Sequence, residues 1–466
     1  MSEQVLAWPR KPIKSVIAPR ETRNPAKLNA KEFWYVDIDA LDNSKQQIVS
    51  PKKLSKFNAP SRARVGIRTG DVIFSLVRPY LKNLAIVPSD LDQQFASTAY
   101  CSLRPTAEID GSFLFYQIGQ ESFIRSIPTY GTSPPSARDN EFLALEIVVP
   151  PKHEQLATVA KIEELFSDLD AGIASLERAR AKLKRYRASV LKSAVEGHLT
   201  QDWRAKNTPK ESGTALLKRI LKTRREKWEA AQLKKFIDAG KAPPKGWKDK
   251  YPEPAKPEVT DRPTLPEDWC WATVSQLAEV GTGTTPLRTE PSYWADGDIP
   301  WVTSTAVNED VVTLASSYVT ARAMEKTTLK LYPPGTLLLA MYGEGKTRGK
   351  VSELRIAATI NQALAALQFD ETSAQVRDYL RVFLQSNYEQ MRHLSSGGVQ
   401  PNLNAGLVQR ICLPFPALAE QQEIVNQAEA ALSTIAHAES DIEAQLARGA
   451  LLKQAILKRA FEGHLV

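Results

Sequence analysis

Gly345, Lys346 and Thr347 stand together in the run from Tyr342 to Lys350, and a Gly-Lys-Thr triplet is what a phosphate-binding loop uses to hold a nucleotide. That loop also needs a glycine five residues before Gly345, and Ala340 stands there, so the backbone cradle for the phosphates is missing. Methyl transfer to a base amino group needs an aromatic side chain to hold the flipped base, yet Ser133-Pro134-Pro135 is followed by Ser136. Gly281 and Gly283, in VGTGTTP (280–286), lack the strand and helix pattern of a cofactor loop. Five histidines in 466 residues offer little general-base chemistry. Cys101, Cys270 and Cys412 form no metal pair, and their odd number in widely spaced positions predicts reduced thiols in a cytoplasm. The expectation is a non-catalytic chain with no metal and no cofactor of its own.

What remains is polar chemistry suited to reading base edges, which takes Arg, Lys, Asn, Gln, Ser or Thr on loops held by a rigid frame. In the first third of the chain the candidates are Arg62, Arg64, Arg78, Tyr80 and Lys82, with Ser133, Ser136 and Arg138 on a Gly-Pro loop. Further on they are Thr284, Thr285 and Arg288 on a Gly/Thr loop, Ser304, then Tyr342, Lys346, Thr347 and Arg348, and finally Ser396, Gln400, Asn402 and Asn404. Charge points the same way. The chain carries a formal +8; residues 204–250 hold fifteen Lys/Arg against five Asp/Glu, and residues 51–82 hold eight against Asp71 alone. Two basic runs suggest double-stranded DNA as the partner, although either alone could be a solvated face. No apolar run reaches the 18 residues a bilayer requires, and MSEQVLAWPRKPIKS lacks the core of a secretion signal, so no membrane is expected.

These candidates must be held by elements, and an internal repeat shows which. Residues 131–199 set under 397–465 give seventeen identities in sixty-nine positions without a gap, including Pro135/Pro401, Glu154-Gln155/Glu420-Gln421 and Glu196-Gly197-His198-Leu199/Glu462-Gly463-His464-Leu465. The preceding stretches match only in scattered places, such as Tyr35-Val36-Asp37 beside Trp301-Val302-Thr303. Inside the repeat, Ile162, Phe166, Leu169, Ile173, Leu176, Leu183, Val190 and Ala194 fall on a 4-3 spacing whose skipped positions are Arg180 and Arg187, the seam of a coiled coil. Each copy therefore predicts a rod of roughly 70 Å at ~1.5 Å per residue. Residues 154–177 carry six acids and one base, and 178–199 seven bases and one acid; 420–443 carry six acids and no base, and 444–465 four bases and one acid. Antiparallel pairing matches these halves, while parallel pairing sets like against like. Gly197 and Gly463 then read as helix ends, and His198 and His464 as residues of the last turn.

The predicted organisation is two mixed α/β domains, 1–150 and 266–416, and two long helices, 151–203 and 417–466. A linker at 204–265 joins them. Its first part reads as a basic amphipathic helix (Leu216, Leu217, Ile220, Leu221, Trp228, Phe236) that packs on a neighbour; its proline-rich second part reads as an extended spacer.

This plan is similar to that of the specificity subunits of Type I restriction-modification systems. The likeness rests on GTGTTPLRTEPSYWADGDIPWVTS (281–304), LLLAMYGEGKTRGK (337–350), SSGGVQPNLN (395–404) and the twice-written Glu-Gly-His-Leu, and it covers nearly the whole chain. The resemblance implies two target recognition domains reading the halves of an asymmetric bipartite site, separated by an antiparallel coiled coil. It also implies two methyltransferase subunits that bring S-adenosylmethionine, and restriction subunits that use ATP and Mg. A coiled-coil adaptor for proteins and a self-sufficient methyltransferase are the other readings.

Overall fold

The computed structural model describes residues 8–343, 347–394 and 403–465. The chain splits into two compact units, residues 1–179 with 440–466, and residues 180–439. Three helices organise it: α1 (Lys152–Val195), α2 (Gly213–Asp238) and α3 (Leu418–Phe461). At ~1.5 Å per residue, the 44 residues of α1 and of α3 each make a rod of about 66 Å. None of the described helices is long and apolar enough to cross a membrane.

Both rods start and stop by the same devices. The chain stays extended through Pro150 and Pro416, and the repeat glutamine reaches back over the first turn. Gln155 Nε2 donates to the Pro150 carbonyl and Gln421 Nε2 to the Pro416 carbonyl, each at 2.7 Å. At the far ends Gly197 and Gly463 adopt φ of 77° and 78°, a left-handed turn that glycine enters without strain. The next amides fold back on the helix, His198 N to Ser193 O and His464 N to Arg459 O, both 3.0 Å. His198 and His464 lie just beyond their helices with exposed side chains, as helix-end residues do.

Within each unit the rods run antiparallel. In the first, Asp170 of α1 pairs with Lys453 of α3 at 2.5 Å, and Ile173 lies over Gly449, where an added Cβ would sit 3.3 Å from its Cδ1. In the second, Arg187 pairs with Glu439 at 2.8 Å, while Thr200, past the end of α1, reaches back to Glu420 near the start of α3. Acidic half meets basic half, as the charges predict. Every seam residue from Ile162 to Ala194 is buried or half-buried.

The sheet-rich body of the first unit uses β1 (Arg10–Pro12), β2 (Ile17–Ala18), β3 (Glu32–Val36), β4 (Lys52–Ser55), β5 (Ala63–Gly66), β6 (Val72–Ser75), β7 (Leu84–Ile86), β8 (Phe95–Ser97), β9 (Tyr100–Pro105) and β10 (Glu146–Val148). One sheet has the order β2-β9-β6-β7, a second β4-β3-β8-β5, and β1 with β10 forms a ribbon beside the rod. The second unit repeats this with β11 (Cys270–Thr273), β12 (Glu279–Thr282), β13 (Ile299–Val302), β14 (Val311–Val312), β15 (Ser317–Val319), β16 (Leu337–Ala340), β17 (Val351–Leu354), β18 (Thr359–Ile360), β19 (Leu364–Gln368) and β20 (Cys412–Phe415). Its sheets run β12-β19-β16-β17-β14 and β15-β13-β18, with the ribbon β11-β20. The scattered match at Tyr35 and Trp301 falls on equivalent strands. Tyr35 pairs in parallel with Phe95, and Trp301 in parallel with Thr359. Two sequences with almost nothing in common thus share one core strand order, β2-β9-β6-β7 with β12-β19-β16-β17 and β4-β3-β8 with β15-β13-β18, while β5 and β14 have no counterpart in those sheets. The buried residues differ, Phe74 and Phe142 stacked at 4.9 Å in the first unit and a Leu/Ala-rich sheet core in the second.

Candidate nucleic-acid interface

In each unit several loops leave the same end of the two sheets. In the first unit they are 61–62, 76–80, 97–99 and 130–138, tied through main-chain bonds. Leu76 N donates to Ala99 O (3.1 Å), Ala137 N to Leu76 O (2.8 Å), Arg78 N to Pro135 O (2.9 Å) and Thr98 N to Arg62 O (2.9 Å). Arg78 holds φ 52°, a left-handed conformation that turns the loop back, and the rigid Pro79 follows it. Arg62, Arg78, Ser133 and Arg138 are exposed here, and Tyr80 is 58 % exposed. Arg138 lies over the Tyr130 ring at 4.1 Å, and the Tyr130 hydroxyl donates to Glu141, so this arginine is held flat. Ser136 is half-buried, its main chain bonded to Tyr130. Arg64 sits on β5 instead of a loop.

The basic run 51–82 is largely neutralised within the fold. Lys52 pairs with Asp37, Lys53 with Glu32 at 2.8 Å, Arg68 with Glu21 at 3.2 Å and Lys82 with Glu121 at 2.7 Å; Lys56 donates to Leu28 O. Glu21 is held below the usual carboxylate range, chiefly by its hydrogen bond from Arg104, and Glu121 likewise by Lys82. Among the described residues, Arg62, Arg64 and Arg78 have no side-chain ion pair or hydrogen bond, so they remain to meet an anion. Eight basic residues read from the sequence reduce to three available ones, because the domain supplies its own acids, Glu21, Glu32, Asp37 and Glu121, and a carbonyl for Lys56.

The second unit gathers 283–288, 303–305, 341–343 and 361–363. Met341 N donates to Ala363 O (2.8 Å), Thr284 N to Ile360 O (3.0 Å) and Asn361 N to Val302 O (2.9 Å). Gly283 makes the crossing possible, since a Cβ there would lie 1.9 Å from the Ile360 carbonyl oxygen. Trp301 Nε1 donates to Thr284 O at 3.1 Å, and the guanidinium of Arg288 lies over Trp294 (3.9 Å) and Trp301 (4.7 Å). Stacking of this kind restricts a long side chain that would otherwise be free. The Thr285 hydroxyl donates to Gln362 Oε1, and Thr284 bonds Thr328. Ser304 opens a short turn after β13, half-buried. Tyr342, Thr347 and Arg348 are half-buried on the hairpin between β16 and β17. Asn404 caps the helix Ala405–Arg410, accepting from Leu407 N at 2.9 Å, which commits its side chain. Lys346, Ser396, Gln400 and Asn402 lie outside the described residues.

The linker departs from its sequence reading in one respect. Its helix α2 packs, as expected: Leu216 and Ile220 are buried with Leu191, Ala194 and Val195 at the end of α1 and with Trp269 and Ala272 of the following domain. The expected spacer folds back instead of running extended. Trp247 and Tyr251 close on Trp228 at 6.1 and 5.4 Å, and Ala255 is bonded to Thr273 and Ser275. Burying three aromatic rings outweighs the tendency of prolines to extend the chain.

Two features escaped the sequence reading. Thr98 and Gln362 occupy the connection between the parallel strand and the next central strand, each preceded by a polar residue (Ser97, Asn361) and followed by an alanine. The other is a tryptophan-to-glutamate bond made once per unit, from Trp8 to Glu154 and from Trp269 to Glu420. Alignment of the two bodies on Tyr35 and Trp301 sets Gln362 beside Ala96, two residues short of Thr98, so the strand pairing was needed for the first as well. The second needed the tertiary fold.

Residues 266–448 match the family model described as the Type I restriction modification DNA specificity domain. The chain is 24% identical over 339 residues to the EcoDI specificity subunit of Escherichia coli, spanning 72% of this chain and 66% of that protein. It is 27% identical over 173 residues to the MjaIX specificity subunit of Methanocaldococcus jannaschii, spanning 35% and 38%. Among solved structures, the HsdS subunit from Thermoanaerobacter tengcongensis is similar at a TM-score of 0.58, with 25% identity, over 98% of this chain and 97% of that one. A chain from a study of assembly and conformational transition in a type I R-M system is similar at 0.74, with 25% identity, over 98% of each.

Proposed function

We propose, for a chain that belongs to the Type I restriction-modification specificity subunits, that it recognises an asymmetric bipartite DNA sequence and performs no chemistry itself. Each sheet-rich domain reads one half-site. The paired rods set the length of the unread spacer. Two methyltransferase subunits supply S-adenosylmethionine and methylate adenine, and restriction subunits supply ATP-driven cleavage with Mg. The observation that carries this reading is one topology built twice with unlike loops at the same end: Arg62, Arg78 and Tyr80 in one, Thr284, Thr285 and Arg288 in the other.

Physical reasoning favours this over a protein-binding adaptor. A reader of two different half-sites needs a common frame and divergent loops, and its loops need unpaired donors at a rigid edge. An adaptor needs an exposed apolar patch instead, whereas the side chains that gather at these loop ends are mostly polar. The test is selection from randomised duplexes by the chain assembled with its co-expressed methyltransferase. Enrichment of two fixed blocks around a fixed unselected gap is expected. Binding that neither selects sequence nor weakens with salt would overturn the reading, and methyl transfer by the isolated chain would revive a self-sufficient methyltransferase.

A further inference from the structure

Two hydrogen bonds and two strand registers place Thr98 and Gln362 at the same point of the two domains. Phe95 and Ala96 of β8 pair in parallel with Tyr35 and Val36, and Thr359 and Ile360 of β18 pair in parallel with Trp301 and Val302. In the second unit 361–363 connect to the next strand; the equivalent residues of the first unit are Ser97, which ends β8 beside Ala63, and the turn Thr98-Ala99. The last of them accepts from the residue after the neighbouring strand, Leu76 N to Ala99 O and Met341 N to Ala363 O. Tyr100 pairs with Ser75, and Leu364 with Ala340, in matching register. The middle residue of each three is Thr98 or Gln362, and both are exposed.

This point differs from the other loops in being rigid. It is two residues long in the first unit and three in the second, clamped between two strands, and each neighbour is a residue suited to DNA. The Arg62 carbonyl accepts from Thr98 N, and the Thr285 hydroxyl donates to Gln362. The rim beside Gln362 is not saturated: Asn361 Oδ1 is buried with no hydrogen-bond partner among the described residues. Thr285 fixes the Gln362 amide, because a hydroxyl that donates to Oε1 leaves the second lone pair of that oxygen and both Nε2 hydrogens without a partner among the described residues, on an exposed side chain. One acceptor and one donor in a fixed plane is the pattern that matches adenine N6 and N7 in the major groove.

We propose that Gln362 reads an adenine in the half-site of the second domain, with Thr285 as its positioning residue, and that Thr98 occupies the corresponding reading position for the first half-site. The inference rests on the DNA-recognition reading above. It makes one structural position, filled differently, the source of specificity in both halves.

The experiment uses the chain assembled with its methyltransferase and compares sequence preference in duplex libraries for the native protein and for Gln362→Ala, Thr285→Val and Thr98→Ala. Gln362→Ala is expected to lose discrimination roughly tenfold or more at one A·T pair, leaving the other half-site as selective as before. Thr285→Val keeps the shape and loses the orienting hydroxyl, so it relaxes the same base pair to a smaller degree. Thr98→Ala acts on the opposite half only. Unchanged preference in the Gln362→Ala protein, or an equal loss on every sequence, overturns the proposal. If the native protein itself selects no bipartite sequence, the failure lies in the broader reading instead.

Discussion

Trp269 donates its indole Nε1–H to Glu420 at 2.8 Å, and 261 residues earlier Trp8 makes the same bond to Glu154 at 2.7 Å. In each unit the bond ties the strand that opens the domain to the first turn of the rod that follows it. The copies differ in what else the glutamate receives. Glu420, only 3% exposed, also accepts from Thr200 Oγ1 and Arg204 Nε, both at 2.8 Å, whereas the Glu154 side chain is 30% exposed. Removing Glu420 strands two buried donors, Thr200 and Trp269, and the half-buried, charged Arg204, and losses of this kind cost about 3 kcal/mol. Glu420→Ala should therefore lower the thermal midpoint far more than Glu154→Ala, for which about 1 kcal/mol is the scale of a single hydrogen bond. Equal shifts in differential scanning calorimetry would contradict this.

The glycine that ends α1 is packed as well as left-handed. An added Cβ at Gly197 would lie 2.9 Å from Arg204 Nη2 and 3.0 Å from Pro266 Cγ. Gly197→Ala should destabilise by more than the roughly 1–2 kcal/mol that a left-handed backbone costs an L side chain, read as a drop in the denaturation midpoint. His198→Ala and His464→Ala, in contrast, should leave both stability and methylation by the assembled complex nearly unchanged, since both side chains are exposed at helix ends.

How much of this was legible beforehand follows from the range of the interactions. The rods were readable because their seam and their charge halves are local patterns with a fixed period, and Asp170 with Lys453 confirms the direction those charges imply. The shared topology of the two bodies was nearly invisible. It depends on which short strands pair, and a three-residue strand carries too few positions to specify a partner; only Tyr35 and Trp301 betrayed it. Among the candidate site residues, Arg62 and Arg78 kept the exposed loop positions expected of them. Lys82 and Asn404 are engaged by Glu121 and by the Leu407 amide, partners 39 and 3 residues away that composition alone does not reveal.

Those pairings make a prediction about DNA binding. Arg62 and Arg78 sit at loop tips without a side-chain partner among the described residues, so each is placed to meet a phosphate. Arg62→Ala and Arg78→Ala should weaken binding on matched and mismatched duplexes alike and lower the slope of log affinity against log salt by ~0.9 each. Lys82→Ala should barely change that slope, because Glu121 already neutralises it. A selective loss on matched DNA for Arg78→Ala would instead make it a base contact.

The buried thiol gives a pH prediction. Burial pushes Cys101 up to about 12, and it raises Cys270 and Cys412 to a smaller extent. In the unfolded chain a thiol ionises near ~8.5. Between that value and its folded one, the native state keeps a proton that the unfolded state gives up, so stability is full below about pH 8.5 and declines as pH rises. Alkaline unfolding should therefore set in above that pH and become shallower in Cys101→Ala. In native protein, iodoacetamide should label the half-buried Cys270 and Cys412 before Cys101, as peptide mass mapping would show.

The rods make the last prediction. One heptad removed from each of α1 and α3, at facing positions, keeps the seam in phase and shortens each rod by ~10 Å, which is ~3 base pairs at ~3.4 Å each. Because Asp170 pairs with Lys453 and Ile173 lies against Gly449 within the first unit, facing positions can be chosen from those contacts. If the rods set the gap between half-sites, the doubly shortened protein should select the same two base blocks around a spacer about three base pairs shorter. Deleting a heptad from one rod alone moves one partner of the Asp170–Lys453 or Arg187–Glu439 pair out of register, and should cost stability without yielding a new defined spacer. Unchanged spacing in the double deletion, with the rods still folded by circular dichroism, would mean that the gap is set by the partner subunits and not by this chain.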